Sequence, residues 1–312
     1  KRLAALLKTL EKRVRLDRYA EITVEVNPES VDKPLLRTLK RAGVNRISMG
    51  VQSADDGQLR RIGRAHDFAA AQRAAELIRQ YCTENLSVDL MFGLPGQDLE
   101  SCLRSVDALC ALQPSHISCY ALKLEEGTPL FLEDPPRADD DLQADMYLAL
   151  TGRLEERGYR QYEISNYARP GFRSRHNSKY WDLSEYLGFG CAAHSFYNGK
   201  RFYYTPDIAA YLSGMQGQRP IVEDADEVSC PAELRVGEYL MLALRTVDGV
   251  DEDTFQARFR RPFAPFAQRL EPYVESGHVK REAGRWHLTP EGFLVSNVII
   301  GDALEGCGSC GK

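Results

Sequence analysis

The stretch Glu21-Ile22-Thr23-Val24-Glu25-Val26-Asn27-Pro28 decides what fold the first half of this chain can take. Its residues alternate with the two-residue period of a strand, and the Asn-Pro pair at its end predicts that the strand stops there. Leucines recur at helical spacing before it, between Leu3 and Leu10. After it, Asp32 begins a second helical pattern, which Gly43 closes as a C-cap. The local order is therefore helix, strand, helix.

The same alternation continues as far as residue 165. Four further strand patterns occupy Asn45–Val51, Leu86–Met91, His116–Leu122 and Tyr159–Ser165. Helical patterns separate them, at Phe68–Tyr81, at Leu99–Leu112 and along the stripe from Leu142 to Leu154. This alternation predicts an α/β fold, with a parallel sheet that is curved or closed and with helices outside it. Because the chain opens on a helix, we expect an incomplete (β/α) barrel that lacks its first strands.

The pattern changes after residue 222. Three helical segments are followed by two short strand patterns, Gly277–Arg281 and Arg285–Thr289, which flank a tight turn and predict a hairpin. Three helices and a hairpin are typical of a winged-helix module. The sequence therefore predicts a partial barrel over residues 1–222, a winged-helix-like α+β domain over 223–305 and a glycine- and cysteine-containing tail over 306–312.

Charge and composition exclude several classes of protein. The 312 residues carry a net charge of −5, and Pro231–Lys312 holds 10 basic against 12 acidic residues, so the winged-helix module lacks the charge that phosphate contacts require. No apolar run approaches the length of a membrane-spanning helix. The eight cysteines are scattered, and Lys1–Leu10 lacks the features of a secretory signal. We therefore expect a cytoplasmic protein with reduced thiols that does not bind nucleic acid.

Polar side chains follow the strand patterns, at the edge where such folds place their chemistry. Glu25 could accept hydrogen bonds from a ligand ammonium, and Arg64 offers a fork for a carboxylate. Gln52 can both donate and accept. Asp89 interrupts an apolar strand, where a carboxylate could accept from two ribose hydroxyls. The alternatives are a solvated Glu25, a surface ion pair at Arg64 and a structural Asp89 bonded to backbone amides.

A second group of candidates lies in one short, non-periodic segment. Arg175–Trp181 and Tyr186–Ser195 combine two histidines with aromatic residues and a glycine-rich turn, a mixture that suits a flat aromatic ligand or a metal-bearing macrocycle. The candidate residues are His176, Tyr180, Trp181 and His194. Each histidine could instead be a hydrogen-bonded structural residue.

One motif in this segment resembles a dinucleotide fingerprint only in spelling. No apolar strand precedes Gly188-x-Gly190-x-x-Ala193, so we do not expect a Rossmann site. We expect instead a tight turn that brings the backbone close to a ligand.

Taken together, these motifs resemble the radical S-adenosylmethionine enzymes of the anaerobic coproporphyrinogen III oxidase type, and most of all their HemW heme-chaperone subgroup. The resemblance covers about Leu3 to Leu304. Its most specific element is His176-Asn177-x-x-Tyr180-Trp181, and Asp89-Leu90-Met91-x-Gly93-Leu94-Pro95 supports it. The resemblance implies a partial radical-SAM barrel with a C-terminal winged-helix-like cover.

The resemblance also implies the ligands. Glu25, Gln52, Arg64 and Asp89 would contact S-adenosylmethionine. Heme would be held near His176, Tyr180, Trp181 and His194, with a histidine as a possible axial ligand, and heme-acceptor proteins would be the partners. The alternative within the family is an oxygen-independent coproporphyrinogen III oxidase, and the alternative outside it is a winged-helix nucleic-acid binder.

One feature of the family is missing from the sequence. The family binds a [4Fe–4S] cluster through a Cys-x-x-x-Cys-x-x-Cys loop, and no three cysteines here have that spacing. The pair Cys307-x-x-Cys310 cannot complete a four-ligand site alone. We therefore expect the 312 residues by themselves to be inactive in radical chemistry. We also expect an unpaired sheet edge that makes the chain self-associate.

Overall fold

The computed structural model describes the backbone of residues 2–217, 222–224 and 232–305, and their side chains except those of 222–224 and 232–234. Contacts divide the chain into two compact units, Lys1–Ser174 and Arg175–Lys312. The domain boundary at residue 222 stays a prediction from the sequence. The contacts place the segment from Arg175 to residue 222 in the C-terminal unit. The cysteines of the tail lie outside the described residues.

The N-terminal unit is built on one six-stranded sheet. Its strands are β1 (Thr23–Val26), β2 (Arg46–Gln52), β3 (Leu86–Phe92), β4 (His116–Ala121), β5 (Arg160–Glu163) and β6 (Asn166–Ala168). Its helices are α1 (Arg2–Arg13), α2 (Lys33–Arg41), α3 (Asp56–Arg61), α4 (Phe68–Tyr81), α5 (Leu99–Ala111), α6 (Pro129–Glu133) and α7 (Asp140–Glu156), and a 3-10 turn occupies Pro28–Ser30.

The strand order is β1-β2-β3-β4-β6-β5. Strands β1 to β4 are parallel, as the helix–strand alternation predicts, which confirms the α/β class. Strands β5 and β6 depart from the prediction because they form an antiparallel hairpin, and β6 pairs with β4. Only Ile164 and Ser165 separate β5 from β6, and so short a link permits only an antiparallel pair.

Aspartates set where the helices that follow the first strands begin. The N-cap side chains of α2, α3, α4, α5 and α7 each accept a hydrogen bond from the backbone N–H three residues later; they are Asp32, Asp55, Asp67, Asp98 and Asp139. Each cap satisfies an N–H that the helix leaves free, and a cap of this kind typically contributes about 1 kcal/mol. The caps fix the ends of the loops at the carboxyl edge of the sheet.

The two faces of the sheet differ in chemistry. One face is apolar and buried; it includes Ile47, Met49, Val88, Leu90 and Ile117. This face meets the buried stripes of α4, α5 and α7, so it forms the core. The alternate residues of the same strands point to the other face, and many of them are polar. Burial of the apolar face therefore dictates which polar side chains line the opposite one.

The C-terminal unit contains two small sheets. Its helices are α8 (Arg175–Trp181), α9 (Ile208–Gln216), α10 (Ala232–Ala243), α11 (Glu252–Phe259), α12 (Ala264–Glu275), α13 (Pro290–Leu294) and α14 (Ser296–Glu305). Its strands are β7 (His194–Tyr197), β8 (Lys200–Tyr204), β9 (Val222–Asp224), β10 (Val250–Asp251), β11 (Val279–Glu282) and β12 (Arg285–Leu288). The sheet orders are β7-β8-β9 and β10-β12-β11.

The predicted winged-helix hairpin is present as β11 and β12. Ala283 and Gly284 form its turn, both with positive φ, which matches the right-handed twist of a hairpin. Helices α10, α11 and α12 precede it, and a core of aromatic side chains fills the module, with Trp286 and Phe255 fully buried. No helix within the described ranges is both long enough and apolar enough to span a membrane.

Candidate functional site

The strand registers align five residues in one row across the N-terminal sheet. Gly50 pairs with Asp89, Asp89 with Ser118, Ser118 with Asn166, and Asn166 with Glu163. Residues directly opposite one another on neighbouring strands share a face and lie close enough to interact. The polar face of the sheet therefore carries a continuous row that begins at the predicted ligand residues.

Asp89 is the second residue of this row, between Gly50 and Ser118. Burial raises the pKa of its carboxyl to about 6, against the hydrogen-bonding contribution of the Ser118 hydroxyl, which lowers it. The carboxylate of Glu25 raises the same pKa further, and Arg46 and Arg64 lower it. The carboxyl of Asp89 is therefore coupled electrostatically to both Glu25 and Arg64.

Arg64 and Gln52 meet over Gly50. The Nη2 atom of Arg64 donates to the carbonyl oxygen of Gly50 at 2.5 Å and to Oδ1 of Asn27 at 3.0 Å. A Cβ atom at Gly50 would lie 2.8 Å from Nη2 of Arg64 and 2.9 Å from Nε2 of Gln52. Glycine at position 50 therefore lets both side chains approach the strand, and the structure brings all four predicted residues to one end of the sheet.

The donors and acceptors at this end suit a zwitterionic nucleoside ligand. Glu25 and Asp89 are acceptors, Arg64 is a donor, and Gln52 offers both kinds of atom. The Nε atom of Arg64 is buried and has no hydrogen-bond partner among the described residues. A buried guanidinium N–H without a partner is costly, and a ligand carboxylate would satisfy it. The residues present therefore fit S-adenosylmethionine.

Two buried residues of the row, Glu163 and Asn166, could not be recognised from sequence patterns. Burial raises the pKa of Glu163 to about 7, although the backbone N–H of Ser165 donates to the carboxyl at 3.1 Å. Oε1 of Glu163 and Oδ1 of Asn166 have no partner among the described residues. The sequence does indicate that Glu163 is unusual, because it is a charged residue between Tyr162 and Ile164 in a strand pattern. Only the strand register shows that Glu163 shares a row with Asp89.

The aromatic segment of the C-terminal unit begins with α8. One helical turn separates His176 from Tyr180, and Nε2 of His176 lies 2.8 Å from the Tyr180 hydroxyl. The Tyr180 ring meets Tyr186 edge to face, with ring centroids 4.6 Å apart. A bridge then joins Tyr186 to Phe196 of β7. Trp181, the last residue of α8, is partly exposed.

His194 begins β7, two residues before Phe196 and therefore on the same face of that strand. Its ring stacks on Tyr203 of β8, with centroids 4.9 Å apart and an interplanar angle of 21°. Both His176 and His194 are exposed. The two predicted histidines thus belong to one aromatic surface of the C-terminal unit, which Tyr180 and Tyr186 link.

The glycine-rich turn packs closely against its own unit. A Cβ atom at Gly188 would lie 2.2 Å from the carbonyl oxygen of His194, and the Gly188 N–H donates to Oγ of Ser195 at 3.0 Å. Gly188 is therefore needed because the turn packs against β7. The close backbone approach that the sequence predicts is real, but the backbone of the same unit provides it.

The residues present do not fit a [4Fe–4S] cluster. Such a cluster needs converging cysteine thiolates. Among the residues that the structure describes, no group of three or more His, Cys, Asp or Glu side chains could hold a metal ion. Burial raises the pKa of Cys102, Cys110 and Cys119, which favours the thiol over the thiolate that a metal requires.

Comparisons with known proteins agree with this fold. Residues 1–109 match the model of the radical SAM superfamily, and residues 231–295 match that of the HemN C-terminal domain. In the solved structure of coproporphyrinogen III oxidase (HemN) from Escherichia coli, 74% of the chain superposes on 98% of this one with a TM-score of 0.80. The sequence identity of 18% means that this likeness shows the fold alone.

Curated relatives are more similar in sequence. Heme chaperone HemW from Bacillus subtilis is 34% identical over 293 residues, which are 91% of this chain and 76% of that protein. Heme chaperone HemW from Escherichia coli is 33% identical over 311 residues, which cover 96% and 78% of the two chains. With this identity over more than three quarters of those relatives, the chain belongs to the HemW heme-chaperone family of radical SAM proteins.

Proposed function

We propose that this chain is the heme- and S-adenosylmethionine-binding part of a heme chaperone. The observation that carries the proposal is its identity of 30–34% to several curated proteins named heme chaperone HemW, over 76–79% of their length. The fold supports the proposal, since each unit carries one of the two predicted sites. Delivery of heme to acceptor proteins, in the cytoplasm, is part of the same proposal.

We place heme on the aromatic surface of the C-terminal unit. A neutral imidazole of His176 or His194 would be the axial ligand, and the rings of Tyr180, Tyr186 and Trp181 would pack against the macrocycle. His176 already shares its Nε2 with the Tyr180 hydroxyl, so ligation by His176 would break that hydrogen bond. His194 needs no such change to present a ring nitrogen, although its stacking on Tyr203 restricts its rotation.

Titration of this chain with hemin tests the heme site. We expect hemin to produce a saturable shift of the Soret band. The affinity for hemin should fall by about tenfold or more when His176→Ala and His194→Ala are combined, because the axial ligand is lost. The single variants show which histidine is the ligand. His278→Ala is the matched control, since His278 lies in the same unit and its ring Nδ1 lies 2.9 Å from the hydroxyl of Ser276, two residues earlier. An unchanged spectrum and affinity in the double variant would refute the assignment.

We place S-adenosylmethionine at the carboxyl end of the N-terminal sheet. Glu25 would accept from its ammonium, Arg64 would donate to its carboxylate, and Asp89 would accept from its ribose hydroxyls, with Gln52 at either polar end. In radical SAM proteins this cofactor supplies a deoxyadenosyl radical. Since the residues of this chain do not fit a cluster, their proposed role is to bind and orient the cofactor.

Calorimetry with S-adenosylmethionine tests this second site. We expect Asp89→Asn to weaken binding by about tenfold, because the carboxylate that accepts from the diol is lost while the shape is kept. Ser87→Ala is the matched control: Ser87 lies two residues earlier on the same face of β3 and hydrogen bonds to His116 instead. Equal affinity of Asp89→Asn and the parent chain would remove Asp89 from the site.

Coproporphyrinogen III oxidation is the alternative within the family. The structural likeness to HemN does not favour it, because that likeness shows only the fold. The test needs a protein that holds a cluster, so we would join this chain to a Cys-x-x-x-Cys-x-x-Cys segment, reconstitute the cluster, and incubate the product with coproporphyrinogen, a reductant and S-adenosylmethionine. A chaperone binds hemin and forms no protoporphyrinogen, whereas product formation would favour the oxidase.

A further inference from the structure

The loop between α3 and α4 carries two side chains, Arg64 and His66, that both contact the end of β2. Arg64 donates to the carbonyl oxygen of Gly50 and to the Asn27 side chain, as described above. His66 makes a parallel pair of contacts one residue further along β2. The two side chains thus contact consecutive carbonyl groups of one strand.

His66 is buried, with only 6% of its surface exposed. Its Nε2 atom lies 3.1 Å from the carbonyl oxygen of Val51, which can only accept, so Nε2 carries the hydrogen. Its Nδ1 atom lies 3.2 Å from Oε2 of Glu29, in the 3-10 turn that follows β1. His66 therefore connects β2 to the turn after β1, just as Arg64 connects β2 to Asn27.

The strand has an irregular conformation at the point that these contacts hold. The register between β2 and β3 shifts between Gly50 and Gln52, which marks a bulge. Gln52 has φ of 72°, in the left-handed region that residues other than glycine rarely adopt. Such a conformation persists only where surrounding contacts enforce it, and it redirects a side chain. The contacts of Arg64 and His66 with the carbonyl groups of Gly50 and Val51 fall at this bulge.

We propose that His66, which lies beside Glu29, is a positioning residue that holds the β2 bulge so that Gln52 faces the methionyl end of the ligand. The role of the bulge in ligand binding rests on the proposed S-adenosylmethionine site. His66 acts through the backbone: its Nε2 donates to the carbonyl oxygen of Val51, and its Nδ1 faces Glu29 without a hydrogen bond among the described residues. The effect of replacing His66 on ligand affinity should therefore be small in a chain that already carries Gln52→Ala.

Hydrogen–deuterium exchange tests, without any ligand, whether His66 holds the β2 bulge. We expect His66→Leu to accelerate amide exchange in residues 50–53 by about tenfold or more, because Leu cannot donate to Val51. His66→Gln should restore slow exchange, since its amide N–H can replace Nε2. Equal exchange in the parent chain and His66→Leu would overturn the proposal, whether or not the chain binds a nucleoside.

Calorimetry with S-adenosylmethionine then tests the consequence. We expect His66→Leu to weaken binding by about tenfold, His66→Gln to rescue it, and His66→Leu to add little to Gln52→Ala in a double-mutant cycle. His116→Leu is the control for general destabilisation, since His116 is equally buried but bonds to Ser87 and Tyr162. Additive effects would overturn the positioning role. Absence of binding by the parent chain would refute the proposed cofactor site. The exchange result alone would then decide whether His66 holds the β2 bulge.

Discussion

Glu163 and Asp89 are two buried carboxyl groups on one row of the sheet, and burial is the largest cause of the raised pKa in both. Burial raises the pKa of the neighbouring Tyr120, the hydrogen bond to Ser118 lowers it, and the charges of Asp89 and Glu163 raise it further. Carboxyl groups that stay partly protonated near neutral pH cost folding free energy when they ionise. The two groups therefore make the N-terminal unit sensitive to pH.

Glu163→Gln should stabilise the chain at alkaline pH. The folded-state pKa of Glu163 is about 7, above its ordinary value of 4.5, so its contribution to stability is complete below pH 4.5 and is lost as the pH rises through 7. The Gln variant cannot ionise, and we expect a gain of about 3 kcal/mol in unfolding free energy at pH 8.5 relative to the difference at pH 4. Urea unfolding of both chains at pH 4 and pH 8.5 measures this gain. The prediction would be contradicted if the difference in unfolding free energy between Glu163→Gln and the parent chain were the same at both pH values.

Gly50→Ala should weaken S-adenosylmethionine binding by about tenfold or more, because the new Cβ would displace Arg64 and Gln52 from their present positions. The backbone φ of Gly50 is not positive, so alanine can adopt the backbone conformation at this position without strain. Gly152→Ala in α7 is the matched control, since nothing lies within 4 Å of its Cβ position. We expect Gly152→Ala to leave affinity unchanged and to stabilise the helix by about 0.5–1 kcal/mol. Equal affinities for the two variants would argue against the site.

At the level of elements, periodicity and turn residues predicted β1 to β5 and most of the helices between them. They missed β6, because three residues are too few to show a period. The register that aligns Asp89 with Glu163 could not be predicted either, because it depends on how β6 inserts beside β4. The resemblance named Glu25, Gln52, Arg64 and Asp89, but only the structure shows that His66 and the bulge support them.

Strand β1 should make the chain self-associate. It pairs with β2 on one side, and among the described residues no strand pairs with its other edge, so its free N–H and C=O groups can pair with a second chain. Sedimentation at rising protein concentration should therefore show dimers or larger species. Thr23→Lys adds charge to this edge and should reduce association, whereas Thr9→Lys on α1 should not. A chain that remains monomeric at all concentrations would refute the prediction.

At the level of the whole molecule, each of the two units carries the candidate residues for a different ligand. The polar face of the N-terminal sheet carries the nucleoside-binding residues, and the aromatic surface of the C-terminal unit carries the heme candidates. The placement of motifs along the sequence and the family resemblance predicted the two kinds of chemistry, because the carboxylates follow strands and the histidines lie among aromatic residues. It could not show that His176 and His194 share one surface, since Tyr186 joins α8 to β7 through a bridge distant in sequence.

The most direct test of the account is the electronic spectrum of ferric heme bound to this chain. Magnetic circular dichroism identifies the axial ligand from the spectrum of the iron. We expect an imidazole-ligated heme whose signature disappears when His176→Ala and His194→Ala are combined and persists in His278→Ala. An identical spectrum in the double variant, or a spectrum of thiolate-ligated heme, would contradict it.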